Sequence, residues 1–189
     1  MALKATIYKA DLQIADMDRH YYQTHSLTIA RHPSETEQRM LLRLLVFAFH
    51  AHEDLRFTKG LSTDDEPDLW QKNPGDEITL WIELGQPDEK RIRKACGRAK
   101  QVIIYSYNTR SAEIWWRQLR DKCERFENLT VFHLLDSELG ELGNLAARHM
   151  VLQCSIQEDS CWFGNQGMTI HIEPLPWKSL PTAKSGNPY

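Results

Sequence analysis

Three short apolar runs, separated by two helical stretches, constrain this chain more than anything else in it. Ile78–Leu84, residues 102–107 and residues 129–135 are rich in branched and aromatic side chains and read as strands. A basic helix opens at Pro87, where proline costs little, and a second helix runs from about Ala112 to Phe126. Strand, helix, strand, helix, strand calls for parallel pairing through crossovers, so the core is α/β with a mixed central sheet flanked by helices.

The flanks add β structure. Residues 6–14 and 21–30 form a long hairpin around the polar turn Asp16-Met17-Asp18-Arg19-His20. A helix follows, with Ser34 as N-cap and Glu37 completing a capping box. Met40, Leu41, Leu44, Leu45, Val46, Phe47 and Phe49 cover most of its circumference, which predicts a buried central helix. Glu35, Arg39 and Arg43, four apart, mark its one wet edge. A short strand over residues 55–57 and a turn at Asn73-Pro74-Gly75-Asp76 precede the first core strand. After Asp136, a short helix is followed by strands over residues 150–156 and 167–173, and an irregular tail from Pro174. The expectation is one domain over 1–189, with its core at about 34–135. The hairpin 1–31 and the strands within 149–173 add an antiparallel β layer.

Composition removes several function classes. A net charge of -3 argues against coating nucleic acid by bulk attraction, although a local basic patch stays open. The longest apolar run, residues 44–49, is far too short for a membrane span. The N-terminus lacks a signal-peptide layout. Cys96, Cys123, Cys154 and Cys161 are therefore read as reduced thiols of a cytoplasmic protein. No glycine-rich phosphate loop or nucleophile elbow is present in the sequence, which argues against nucleotide kinases and serine hydrolases.

What remains is an acidic pair. Asp68 follows Glu66-Pro67 in a turn-rich segment, and Glu83 sits near the end of Ile78–Leu84 with the basic helix directly after it. Two carboxylates of this kind, with a cation alongside, are the parts of a site that holds a divalent metal against a phosphodiester. A plain ion pair from Glu83 to Arg91 or Lys94 would satisfy the same acid without a metal.

This order of elements resembles the restriction-endonuclease-like PD-(D/E)XK fold, and the blocks along the chain resemble the YaeQ family of bacterial proteins. The blocks are Met1-Ala2-Leu3-Lys4-Ala5-Thr6-Ile7-Tyr8-Lys9-Ala10, Ala30-Arg31-His32-Pro33-Ser34-Glu35-Thr36 and Asp64-Asp65-Glu66-Pro67-Asp68-Leu69-Trp70. Trp81-Ile82-Glu83-Leu84-Gly85, Arg91-Ile92-Arg93-Lys94-Ala95-Cys96 and Ile114-Trp115-Trp116 complete them. The resemblance implies Asp68 and Glu83 as magnesium ligands, with Glu37 as a third helix-borne acid. It departs at Gly85, where the nuclease pattern has lysine. Either Lys94 or Arg91 would then supply the missing cation. The function implied is a metal-dependent phosphodiesterase acting on nucleic acid. The alternative is an inactive binding module with a nucleic-acid or transcription- or translation-related partner.

Overall fold

The computed structural model describes residues 4–59 and 65–181. The chain runs through β1 (Thr6–Asp16), β2 (Tyr21–Arg31), α1 (Glu37–Phe49), β3 (Leu55–Phe57), β4 (Leu69–Lys72) and β5 (Ile78–Leu84). It continues with α2 (Glu89–Arg98), β6 (Ala99–Ser106), α3 (Thr109–Cys123), β7 (Leu129–His133) and α4 (Asp136–Leu139). A 3₁₀ turn over Leu142–Leu145 leads to β8 (His149–Gln157), β9 (Ser160–Gly164), β10 (Thr169–Ile172) and β11 (Leu175–Lys178).

These strands make two sheets with α1 between them. One sheet has the order β10-β9-β8-β1-β2, the other β11-β7-β6-β5-β4-β3. Along β1 the period-two alternation turns Tyr8, Ala10, Leu12 and Ile14 inward, where they meet the side chains of α1. Leu80, Ile82, Leu84, Ile103 and Tyr105 of the second sheet close the same core from the other side. Met40, Leu41, Leu44, Leu45 and Val46 are wholly buried, each contributing about 1.5–3 kcal/mol of transfer free energy. The far face of the second sheet carries Ile78, Trp81, Val102, Ile104 and Val131 and is covered by α2 and α3. β5 is thus covered on both faces, which is why it reads as a nearly unbroken apolar run.

The hairpin pairs without a break from Thr6↔Arg31 to Asp16↔Tyr21. The first sheet is mixed, however, because β8 lies parallel to β1 from Lys9↔His149 to Asp16↔Ile156. That parallel pairing corrects the antiparallel expectation. All of the second sheet except β11 lies between these strands in the chain, so a crossover is available. β4 and β9 are too short and too polar at their ends to signal themselves, and both were missed. The tail is also more regular than expected. β11 joins the second sheet antiparallel to β7, and Trp177 stacks on His133 at 4.3 Å and on Trp116 at 6.2 Å.

Helix starts shifted for local reasons. Thr36, not Ser34, caps α1 by accepting the Arg39 N–H at 3.1 Å. The Ser34 hydroxyl is held 2.6 Å from His32 Nδ1, and Glu37 becomes the first helical residue instead of a box partner. Asp88 caps α2, accepting the Arg91 N–H at 2.8 Å, so Pro87 lies just outside the helix. A register shift opposite β5, between Gln71 and Lys72, moves Ile78 onto the Trp81 face instead of the Leu80 face.

The largest correction concerns Glu35, Arg39 and Arg43. They are not a wet edge: Glu35 and Arg43 are 4% and 3% exposed. Glu35 Oε2 accepts from Arg43 Nη2 at 2.6 Å and its Oε1 from Arg39 Nη1 at 3.0 Å. Arg43 Nη2 also donates to the Ala30 carbonyl of β2 at 2.8 Å. Since the second sheet also covers this side of α1, charges spaced for a solvent stripe became an internal ladder. Glu35→Ala leaves the buried Arg43 guanidinium without its carboxylate and Arg39 with Asp68 as its remaining one, and it is expected to lower unfolding free energy by about 3 kcal/mol in urea denaturation.

Candidate functional site

Asp68 directly precedes β4, one residue past the register pair Leu69↔Ile82, and so lies beside the Glu83–Leu84 end of β5. Its N–H donates to the Ile82 carbonyl at 3.0 Å, and its own carbonyl accepts from Thr58 at 3.2 Å. The side chain then takes over where the ladder stops. Oδ2 accepts the Leu84 N–H at 2.8 Å, and Oδ1 accepts Arg39 Nη2 at 2.7 Å. Asp68 is 3% exposed, and both its oxygens are engaged.

Glu83 is 5% exposed and shares the α2-facing side of β5 with Trp81. Trp81 Nε1 donates to its Oε1 at 2.9 Å, and Arg91 Nε donates to the same oxygen at 2.7 Å. Arg91 stands one helical turn after the Asp88 cap, and its Nη2 also donates to the Glu66 carbonyl at 2.7 Å. The guanidinium therefore ties the acidic loop, β5 and α2 together. Burial raises the Glu83 carboxyl above the ordinary range; the Arg91 bond opposes this, and the nearby Asp68 charge adds to it. The ladder itself sets the two acids side by side, since Asp68 lies one residue from the Leu69↔Ile82 pair on the Glu83 side.

Arg39 carries the link to α1. Burial alone would lower its guanidinium, but the charge and hydrogen bond of Asp68, with the charge of Glu35, prevail and raise it. Tyr107, just past β6, is itself raised by burial, with Arg39 opposing. The result is a chain of alternating charge, Arg43–Glu35–Arg39–Asp68, running from the centre of α1 to the sheet end. Arg91–Glu83 sits alongside it.

Lys94 does not join this cluster. It pairs with Asp65 on the surface, with the lysine side chain 41% exposed. Arg98 donates to the Asp65 carbonyl at 2.9 Å and lies over the Trp81 ring at 5.4 Å. Glu37 is exposed, and Tyr8 donates to it at 3.3 Å. The helix acid that enters the site is Glu35. Asp64, named in the sequence blocks, lies outside the described residues. Gly85 has φ 110°, a conformation that L side chains rarely adopt, so the backbone here rejects the lysine of the nuclease pattern.

Sequence reasoning missed Arg39 and Glu35 as site residues. The signal was their i, i+4 spacing on an otherwise apolar helix, read with the wrong assumption about solvent. As donors for a metal, the acidic pair is already committed: three of its four oxygens accept hydrogen bonds, two of them from guanidiniums. Among the described residues, no group of three or more His, Cys, Asp or Glu side chains is disposed to hold an ion.

The model of the family described as YaeQ protein matches residues 1–174. The chain belongs to the YaeQ family. A relative from Salmonella typhi is 49% identical over 178 residues, covering 94% of this chain and 98% of the relative. One from Escherichia coli (strain K12) is 48% identical with the same coverage, and both are described as "Uncharacterized protein YaeQ". The crystal structure of YaeQ protein from Xanthomonas axonopodis pv. citri superposes with a TM-score of 0.90 at 42% identity, covering 94% of this chain and 99% of that one. The YaeQ structure from Pseudomonas syringae gives 0.88 at 32%, covering 93% and 97%. The two-sheet α/β arrangement is thus shared with YaeQ structures. No helix among the described residues is long and apolar enough to cross a membrane.

Replacing Arg91 tests the electrostatics directly. In Arg91→Met the Glu83 carboxyl loses its opposing charge, and its pKa should move further up in carbonyl-detected NMR titration. A carboxyl whose pKa is raised in the fold binds protons more tightly there, so acid favours the fold. The stability deficit of the variant should therefore be greatest near neutral pH and shrink as pH falls through the Glu83 pKa.

Proposed function

We propose that this YaeQ-family chain is a phosphodiester-binding module with a restriction-endonuclease-like core, acting on nucleic acid by contact instead of by cleavage. One observation carries the reading: Arg39 and Arg91 already occupy the positions beside Asp68 and Glu83 where a metal would bring positive charge. A module needs those acids to hold arginines in place, whereas a metal centre needs them free. The glycine forced at position 85 supports the same reading, because it removes the strand lysine.

The contacting surface is the outward side of α2. Lys90, Arg93 and Lys94 are exposed there, next to Arg91. Such residues ordinarily form a solvated helix face, but here they flank the place where the partly buried Arg91 reaches Glu83 at the end of β5. Lys94 exchanges Asp65 for a phosphate in this scheme. Binding of this kind is dominated by counterion release and weakens steeply with salt.

The second reading is a magnesium-dependent phosphodiesterase with Asp68 and Glu83 as ligands and Arg91 or Lys94 stabilising the phosphate. It is favoured by the two hydrogen bonds to Glu83 both falling on Oε1, which leaves Oε2 outside them. It requires Arg91 to leave Glu83.

Fluorescence anisotropy with labelled single- and double-stranded DNA and RNA separates the two. With EDTA present, the module should bind at least one of them with no cleavage in magnesium or manganese. Replacing Lys90, Arg93 and Lys94 together by Gln should weaken binding about ten-fold or more and flatten the salt dependence. Cleavage in magnesium that is lost in Asp68→Asn and Glu83→Gln would establish the enzyme instead. No binding to any nucleic acid at low salt would overturn both.

A further inference from the structure

Past the C-terminal end of α1 the two sheets leave an open-mouthed cavity of about 150 Å³. It is separate from the acidic pair, since the stretch of α1 from Arg39 to His50 spans roughly 16 Å. Its floor includes Asp16, Tyr105 and Ile156, all buried, while Asp18 and Asp159 stand exposed at its mouth. A void of this size accepts one aromatic ring and a few further atoms, as an apolar cavity of about 150 Å³ accepts benzene. It is too small for a nucleotide.

The walls suit such a ring. Tyr105 stacks with Phe49 at 6.3 Å and with Phe132 at 5.2 Å. The polar groups of the floor are already matched. Arg19 donates to Asp16 at 2.6 Å and to the Ala51 and Ala48 carbonyls at 3.1 and 3.3 Å, satisfying a buried carboxylate and the end of α1 together. His50 Nε2 lies 2.7 Å from the Tyr105 hydroxyl. Burial, and then the Arg19 charge, lower His50 to about 4, so this imidazole is neutral at pH 7.

The charge of the mouth is not matched. Asp18 accepts the backbone N–H groups of Glu158 and Asp159 at 2.9 and 3.0 Å, and these bonds keep its carboxyl below the ordinary range. They also fix the two-residue turn between β8 and β9, in which Glu158 and Asp159 have φ 54° and 60°. Asp16, Asp18 and Asp159 line the cavity against the single cation Arg19, which leaves two negative charges in surplus. The held Asp18 carboxylate and the exposed Asp159 carboxylate beside it, above an aromatic-walled, ring-sized hole, select against anions and favour a cation.

We propose that this cavity binds a small one-ring organic amine, its ring among Phe49, Tyr105 and Phe132 and its ammonium group at Asp18 and Asp159. The ammonium replaces part of its hydration by carboxylate contacts, and the ring gains apolar and cation–π contact.

The test uses the full chain and three probes of one size: benzylamine, benzyl alcohol and benzoate, followed by calorimetry and by NMR of the His50 and Tyr105 rings. Benzylamine should bind saturably, benzyl alcohol about ten-fold more weakly or less, and benzoate not at all. Ile156→Phe fills the hole and should abolish benzylamine binding. Asp159→Asn keeps the turn, because asparagine tolerates its left-handed backbone, and should weaken benzylamine several-fold without affecting benzyl alcohol. It also serves if Ile156→Phe does not fold. Failure of benzylamine to bind the parent chain, equal affinity for benzyl alcohol, or unaltered benzylamine binding in Asp159→Asn would overturn the proposal.

Discussion

A helix with charges on it cannot lie between two sheets unless those charges answer one another. α1 meets this condition with Glu35, placed just before its cap, which accepts from both Arg39 and Arg43. Arg39 then extends past the helix to Asp68, and Asp68 caps the free N–H of Leu84 where the β4–β5 ladder ends. Buried ion pairs of this sort add little net stability compared with well-packed apolar groups, because removing the ions from water costs about as much as their attraction returns. Their effect is on register. Only one placement of α1 satisfies Ala30 of β2, Glu35 and Asp68 at once, so the ladder fixes how far the helix slides between the sheets.

The same logic explains why Glu83 can be buried in the middle of a sheet. It holds one hydrogen bond from Trp81 on its own strand and one from Arg91 on the next helix. Arg39 approaches this strand end from the α1 side and Arg91 from the α2 side, and the two acids between them stay close without a third cation. Gly85 belongs to this arrangement. Its N–H donates to the Tyr105 carbonyl at 2.9 Å while its φ of 110° turns the chain out of the sheet towards the α2 cap. A side chain at that position would conflict with the turn that brings Arg91 over Glu83.

The second sheet was largely legible because its strands are buried on both faces and announce themselves as apolar runs. β5 matched its expected bounds, and β6, α3 and β7 differed by a few residues at their ends. What could not be read was whatever depends on solvent access. Glu35, Arg39 and Arg43 look the same in sequence whether they face water or a sheet, and only the packing of both sheets on α1 decides. Pairing partners were equally hidden: β8 selects β1 in parallel, and β11 returns to the other sheet beside β7. Of the candidate site, Asp68, Glu83 and Arg91 come together at one strand end, while Lys94 stays at the surface with Asp65. The arginine on the helix side was missed because that helix was given a wet edge it does not have.

The pairing of β1 with β8 has a consequence for how the chain is made. As the polypeptide leaves the ribosome, the inner strand of the first hairpin waits for a neighbour that emerges only after β3 to β7 of the second sheet have been synthesised. Leu12 and Ile14, buried in the finished molecule, have neither that neighbour nor a complete core to enter during this interval. Contacts so distant in sequence slow closure and leave an adhesive strand edge open to other chains. A chain stalled before His149 would therefore expose that strand edge to its neighbours.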